Sequence, residues 1–122
     1  MSPNLQIQTT VIRGVQVSYV EDHPSSKDIP VLLNIHGMTG SSRIVEKNWL
    51  VGGVQAGIGS CALTFPRNAR TKFRDYVRTV LDVAEVISKH RSVVAAGHSL
   101  GGLVAQVAAS ERPDVIKAAI FI

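Results

Sequence analysis

The sequence predicts an α/β domain, with a β-hairpin followed by alternating strands and helices in a mainly parallel sheet of six strands. Three observations carry this. Two N-terminal segments alternate apolar and polar residues around an Arg-Gly pair. Four later runs are short and almost wholly apolar, as strands covered on both faces are. Segments of helical spacing lie between those runs, and strands that alternate with helices imply parallel pairing through right-handed crossovers. The 122 residues fit one domain, and a 45 % hydrophobic content can fill a core.

Residues 5–12 and 15–20 read as the hairpin strands. Leu5 and Ile7 alternate with Gln6 and Gln8, and Val15, Val17 and Tyr19 with Gln16 and Ser18. Arg13-Gly14 suits the tight turn. Residues 21–28 are polar and contain Pro24-Ser25-Ser26, a loop signal. Residues 30–35 form the first apolar run. Ser41 or Ser42 can cap a helix through Val45, Trp49 and Leu50, weakened further on by Gly52, Gly53 and Gly57. Residues 60–65 are the second run, closed by Pro66. From Thr71 to His90, Phe73, Tyr76, Val77, Val80, Leu81, Ala84 and Ile87 recur at helical steps. Residues 93–96 are the third run, residues 100–110 an Ala-rich helix stopped by Arg112-Pro113, and residues 116–122 the last strand.

Several function classes fall away. The net charge of +4 is too small for a dedicated nucleic-acid binder. The basic residues Arg67, Arg70, Lys72, Arg74 and Arg78 read as a solvated helix face, without interleaved aromatics for base stacking. The lone Cys61 sits in an apolar run and reads as a buried structural thiol, which suits a reducing, cytoplasmic setting. The N-terminus shows no signal-peptide pattern. Residues 92–110 carry no Asp, Glu, Lys or Arg, but Gly97, His98, Ser99, Gly101, Gly102 and Gln106 interrupt them, so a buried strand–turn–helix is expected and not a membrane span.

Two motifs carry chemistry. Gly97-His98-Ser99-Leu100-Gly101-Gly102 matches G-x-S-x-G between an apolar strand and a helix, the context such a nucleophile turn requires. The sharp turn strains the backbone of Ser99 and lifts its hydroxyl clear of the sheet. It is neither a dinucleotide fingerprint nor a phosphate-binding loop, because G-x-G-x-x-G and G-K-[ST] are both missing. The second motif, Asn34-Ile35-His36-Gly37-Met38-Thr39-Gly40-Ser41-Ser42, follows the third strand directly. Acyl transfer builds an oxyanion that needs preorganised donors. The backbone N–H of Leu100 and that of Met38 are the candidates.

His-Gly-Met-Thr-Gly-Ser followed by Gly-His-Ser-Leu-Gly-Gly, in this strand and helix order, resembles the α/β-hydrolase family of esterases, lipases and lysophospholipases. The resemblance covers nearly the whole chain and implies the N-terminal portion of that fold, ending at the sixth strand. It implies Ser99 as nucleophile, Met38 and Leu100 as oxyanion donors, a small-molecule ester or related acyl substrate, no metal and no cofactor. If the sheet follows the family's order, the strand reaching residue 122 is a bare edge through which self-association is expected. The family's chain order is Ser, then Asp or Glu, then His. Here His23, His36, His90 and His98 all precede Ser99. His36 is expected to brace the oxyanion loop, and the other three are expected to lie apart from the role of base. Glu111 and Asp114 are the only carboxylates downstream, and Asp114 is expected at the surface, at the far end of the sheet. The expectation is therefore a partial domain over residues 1–122 with an incomplete triad, inactive as it stands. The alternative is a non-catalytic relic or binding module on the same fold.

Overall fold

A computed structural model of the chain describes residues 7–20, 30–36, 59–65 and 71–121. Strands β1 (Ile7–Ile12) and β2 (Val15–Val20) form the expected hairpin. Both turn residues have positive φ, 48° at Arg13 and 79° at Gly14, as a two-residue turn matched to strand twist requires. The remaining strands are β3 (Val31–Ile35), β4 (Gly59–Thr64), β5 (Val93–Gly97) and β6 (Ile116–Phe121). Pro30 stays outside β3, since it has no N–H to give the ladder. Helices α1 (Phe73–Ser88) and α2 (Leu100–Glu111) precede and follow β5. The helix expected from Ser41 or Ser42 through Leu50 lies outside the described residues.

The sheet order is β1-β2-β4-β3-β5-β6. Both β1 on β2 and β2 on β4 are antiparallel, whereas β4, β3, β5 and β6 run parallel. Between Val93 and Val94 of β5 the register with β6 slips, so Lys117 is left over between Ile116 and Ala118, a bulge that twists the strand. One face of the sheet presents Val17, Leu33, Ile35, Cys61, Leu63 and Val93 to the helices, and the thiol of Cys61 is buried and in no disulfide. Helix α1 buries Val77, Val80, Val83 and Ala84 in this core, and α2 buries Val104, Ala105 and Ala108. The Asp75 carboxylate accepts the Lys72 N–H at 2.8 Å and so caps the start of α1, where a negative charge also suits the helix dipole.

Ion pairs tie the periphery together. The Arg13 guanidinium at the hairpin tip reaches Glu85 at 2.8 Å and Asp82 at 3.4 Å on α1. Arg112, just past α2, meets the same Glu85 at 3.4 Å and Asp114 at 3.0 Å. Arg74 on α1 pairs with Glu111 at the end of α2 at 2.5 Å.

The chain leaves β3 for β4 on one side and returns to β5 on the other. The order therefore reverses at β3, between β3 and β5. In open parallel sheets the crevice at the carboxyl ends of such strands is where ligands bind.

Candidate active site

Ser99 lies at that crevice. It lies one residue, His98, past β5 and heads α2, with φ 56° and ψ −122°, and it is exposed. A non-glycine residue held at positive φ costs on the order of 1–3 kcal/mol and persists only where its surroundings fix it. Here they do. The His98 N–H donates to the Ile35 carbonyl at 3.2 Å, which ties the turn to β3. Gly101 N–H donates to His98 O at 3.0 Å, and Gly102 and Leu103 N–H donate to Ser99 O at 2.9 and 3.3 Å. The Leu100 N–H takes part in none of these bonds, as expected of the first amide of a helix.

Gly97 and Gly101 are required for space by neighbouring backbone, and Gly102 is pressed by a side chain. A Cβ on Gly97 would fall 2.1 Å from the Gly101 carbonyl oxygen, and one on Gly101 would fall 2.4 Å from that of Ile35 and 2.7 Å from that of His36. On Gly102 a Cβ would meet the Phe121 ring at 2.3 Å. So α2 starts against the backbone of β3 on one side and a β6 aromatic on the other.

His36 directly follows β3 beside this turn and is only 5 % exposed. Its Nε2 accepts the Phe65 N–H at 3.1 Å, and the two rings meet edge-on at 5.1 Å. Phe65 in turn packs edge-on against Tyr76 of α1 at 4.7 Å. The His36–Phe65 bond runs from the residue after β3 to the chain just past β4, whereas the oxyanion loop that His36 was expected to brace lies outside the described residues. Met38, with Gly37 and Gly40, lies outside the described residues, as does His23. His98 and His90 are exposed, and His90 precedes β5, at the end of the sheet opposite Ser99. Asp114 is exposed, also before its strand, and Glu111 is held by Arg74. Arg112 donates a hydrogen bond to Asp114 and holds that carboxyl below its usual range. Among the described residues of the basic cluster, Lys72, Arg74 and Arg78 are exposed on or beside α1, the solvated face expected. Arg67 and Arg70 lie outside.

Among the described residues no group of His, Cys, Asp and Glu could hold a metal ion. No helix among them is long and apolar enough to cross a membrane. Two site residues were not foreseen from the sequence, Phe65 and Phe121. Each lies near the end of an apolar run, where it looks like any other core aromatic.

No protein-family model and no curated protein matches the chain. Solved structures do match its fold. A hydrolase described as CIB-like from Thermoplasma acidophilum superposes with a TM-score of 0.75 at 17 % identity, over 97 % of this chain and 62 % of its own. The hyperthermophilic esterase of the archaeon Pyrobaculum calidifontis gives 0.72 at 18 %, over 91 % of this chain and 39 % of its own. The epoxide hydrolase VrEH1 of Vigna radiata gives 0.72 at 16 %, over 96 % and 39 %. The chain thus spans from two fifths to three fifths of the length of these proteins. From its hairpin to its sixth strand, the chain has the N-terminal portion of the α/β-hydrolase fold.

Proposed function

We propose that this chain is the nucleophile-bearing part, over residues 1–122, of a serine hydrolase acting on carboxylic esters or related acyl compounds. The observation that supports this best is Ser99 itself: a serine at positive φ, exposed at the switch point, at the head of α2. The Ser99 oxygen attacks the acyl carbon. The oxyanion that forms accepts hydrogen bonds from the Leu100 N–H and from the Met38 N–H of the loop after His36. The alcohol leaves, and water then hydrolyses the acyl-enzyme. The positive end of the α2 dipole favours the developing charge. The likeness to both an esterase and an epoxide hydrolase means that the fold alone does not choose the reaction. A serine hydroxyl at the turn, rather than a carboxylate, favours acyl transfer. The reading calls for no metal and no cofactor, and it suits a cytoplasmic protein.

Ser99 needs a base, and none of the four histidines follows it. A second reading is a non-catalytic module on this fold. Two measurements separate the readings. The 122-residue chain should show no triad-level hydrolysis of p-nitrophenyl acetate and negligible labelling by a fluorophosphonate probe. A protein completed by coding sequence beyond Ile122, with an acidic residue about one strand on and a later histidine, should turn over esters. Its Ser99→Ala variant should lose on the order of 10⁶ in kcat. Turnover by the completed protein that survives Ser99→Ala would overturn the assignment of Ser99, and a stop codon after Ile122 would favour the non-catalytic module. Brisk turnover by the chain alone, lost in Ser99→Ala, would place the base upstream or on a partner chain.

A further inference from the structure

We propose that the His36 imidazole is a positioning residue for the nucleophile turn, acting from the far side of β3 through the backbone on which the turn rests. This rests on the reading of Ser99 as nucleophile.

Ser99 sits in a conformation that its own chain does not favour, so its position is set by its neighbours. Those neighbours are two carbonyl groups at the end of β3. The Ile35 carbonyl accepts the His98 N–H at 3.2 Å. The Ile35 and His36 carbonyls both lie so close to Gly101 that no side chain fits between. Any shift of residues 35 and 36 is therefore carried into His98 and Gly101, which flank Ser99 and Leu100.

The next link is what holds residues 35 and 36. Ile35 is the last residue of β3, so His36 is already outside the regular ladder. Its side chain supplies an anchor in place of a ladder bond, with Nε2 accepting the Phe65 N–H. Phe65 is likewise one residue past β4. The imidazole thus extends the β3–β4 pairing by one side-chain bond beyond its last backbone rung, Ile35 with Leu63. Both groups are nearly buried, at 5 % and 4 % exposure, so water is a poor substitute for either partner. An accepting Nε2 also fixes the imidazole's protonation, because the nitrogen must carry no proton.

The chain of contacts is short and physical: Phe65 N–H, His36 Nε2, the Ile35 and His36 carbonyls, then His98 and Gly101 around Ser99. It predicts coupling from a β4 exit that lies on the opposite side of β3 from the turn.

The test uses the 122-residue chain and reads amide signals, so it does not depend on Ser99 turning over a substrate. In ¹⁵N-edited spectra near neutral pH, His36 Nε2 should be the unprotonated nitrogen. In His36→Leu, hydrogen exchange at the Phe65 and His98 amides should speed up at least tenfold, and the Leu100 and Gly101 signals should move. Glutamine can place its Oε1 where Nε2 was, so His36→Gln should hold both amides within about threefold of the parent and leave the turn signals in place. A proton on Nε2 overturns the proposal even if His36→Leu fails to fold. So does a His36→Leu variant in which Phe65 loses protection while His98, Leu100 and Gly101 stay unchanged. Failure of His36→Gln to rescue would likewise reduce His36 to a packing residue.

Discussion

Replacing Gly101 by alanine sets two effects of opposite sign against each other. In a helix alanine is better than glycine by about 0.5–1 kcal/mol, because glycine loses more backbone freedom on folding. Propensity alone therefore predicts a more stable protein. The structure predicts the reverse. The new Cβ would lie 2.4 Å from the Ile35 oxygen and 2.7 Å from the His36 oxygen. The first ends the central strand and the second follows it directly, and that strand is bonded to β4 on one side and β5 on the other, which leaves little room to withdraw. Overpacking costs typically about 1–3 kcal/mol, and backbone facing backbone places this site at the upper end. Subtracting the helix gain leaves a net loss of about 2 kcal/mol or more, out of a total stability on the order of 10 kcal/mol. For a domain of this size that lowers the melting midpoint by roughly 8 °C. The assay is thermal and urea unfolding of Gly101→Ala beside the parent, followed by far-UV circular dichroism. A midpoint equal to or above the parent's would refute the reasoning, since α2 would then be free to draw back from β3.

Four further outcomes are expected. Ser99→Gly should raise stability by about 1 kcal/mol in urea unfolding, because glycine relieves the positive φ; a loss would mean that the serine side chain contributes bonds that outweigh the strain. Arg13, by hydrogen bond and by charge, holds the Glu85 carboxyl below its usual 4.5, so the unfolded chain binds that proton more readily. This stabilisation is present above pH 4.5 and is lost as pH falls through the lower folded value, and unfolding titrations from pH 7 to 3 should show a shallower acid limb in Glu85→Gln, an effect that added salt should erase. In a completed enzyme Met38→Ala should keep most activity, whereas Met38→Pro, which deletes the N–H, should lose on the order of 10²–10³ in kcat; equal kinetics would remove Met38 from the oxyanion site. Strand β6 lies at the edge of the described sheet and carries Ile120 and Phe121, each about half exposed (47 % and 53 %), so the 122-residue chain should associate in light scattering at high concentration, and a clean monomer would contradict this.

Much of this architecture was legible in the residues. Alternation marked β1 and β2, and Arg13-Gly14 marked the turn that both positive φ values bear out. Short, largely apolar runs marked β3, β4, β5 and β6, and for β3 and β5 the reason is burial in the middle of the sheet, where a strand has little polar side to show. Gly97, Ser99 and Gly101 marked the nucleophile turn, because only glycine clears the backbone packed around it. Pairing between distant segments was legible only by resemblance. Nothing in Phe65 says that its N–H will meet a histidine, and nothing in Phe121 says that its ring will lie on Gly102. Those contacts depend on the order of strands, which local periodicity does not encode. The shared role of Glu85 between Arg13 and Arg112 was hidden for the same reason.

The position of β3 bears on how the molecule is made. The strand lies at the centre of the sheet, yet its neighbours β4 and β5 both come later in the chain. As the polypeptide leaves the ribosome, the most apolar strand emerges with no partner, and Val31 meets Val93 only after β4 and α1 have been synthesised. Until then Leu33 and Ile35, nearly inaccessible in the finished fold, face water or a chaperone. Parallel pairing across such separations is slow, because loop closure must precede any gain from contact. Folding of this domain should therefore begin late, and the turn that presents Ser99 is secured only when β5 docks beside β3 and His98 finds the Ile35 carbonyl.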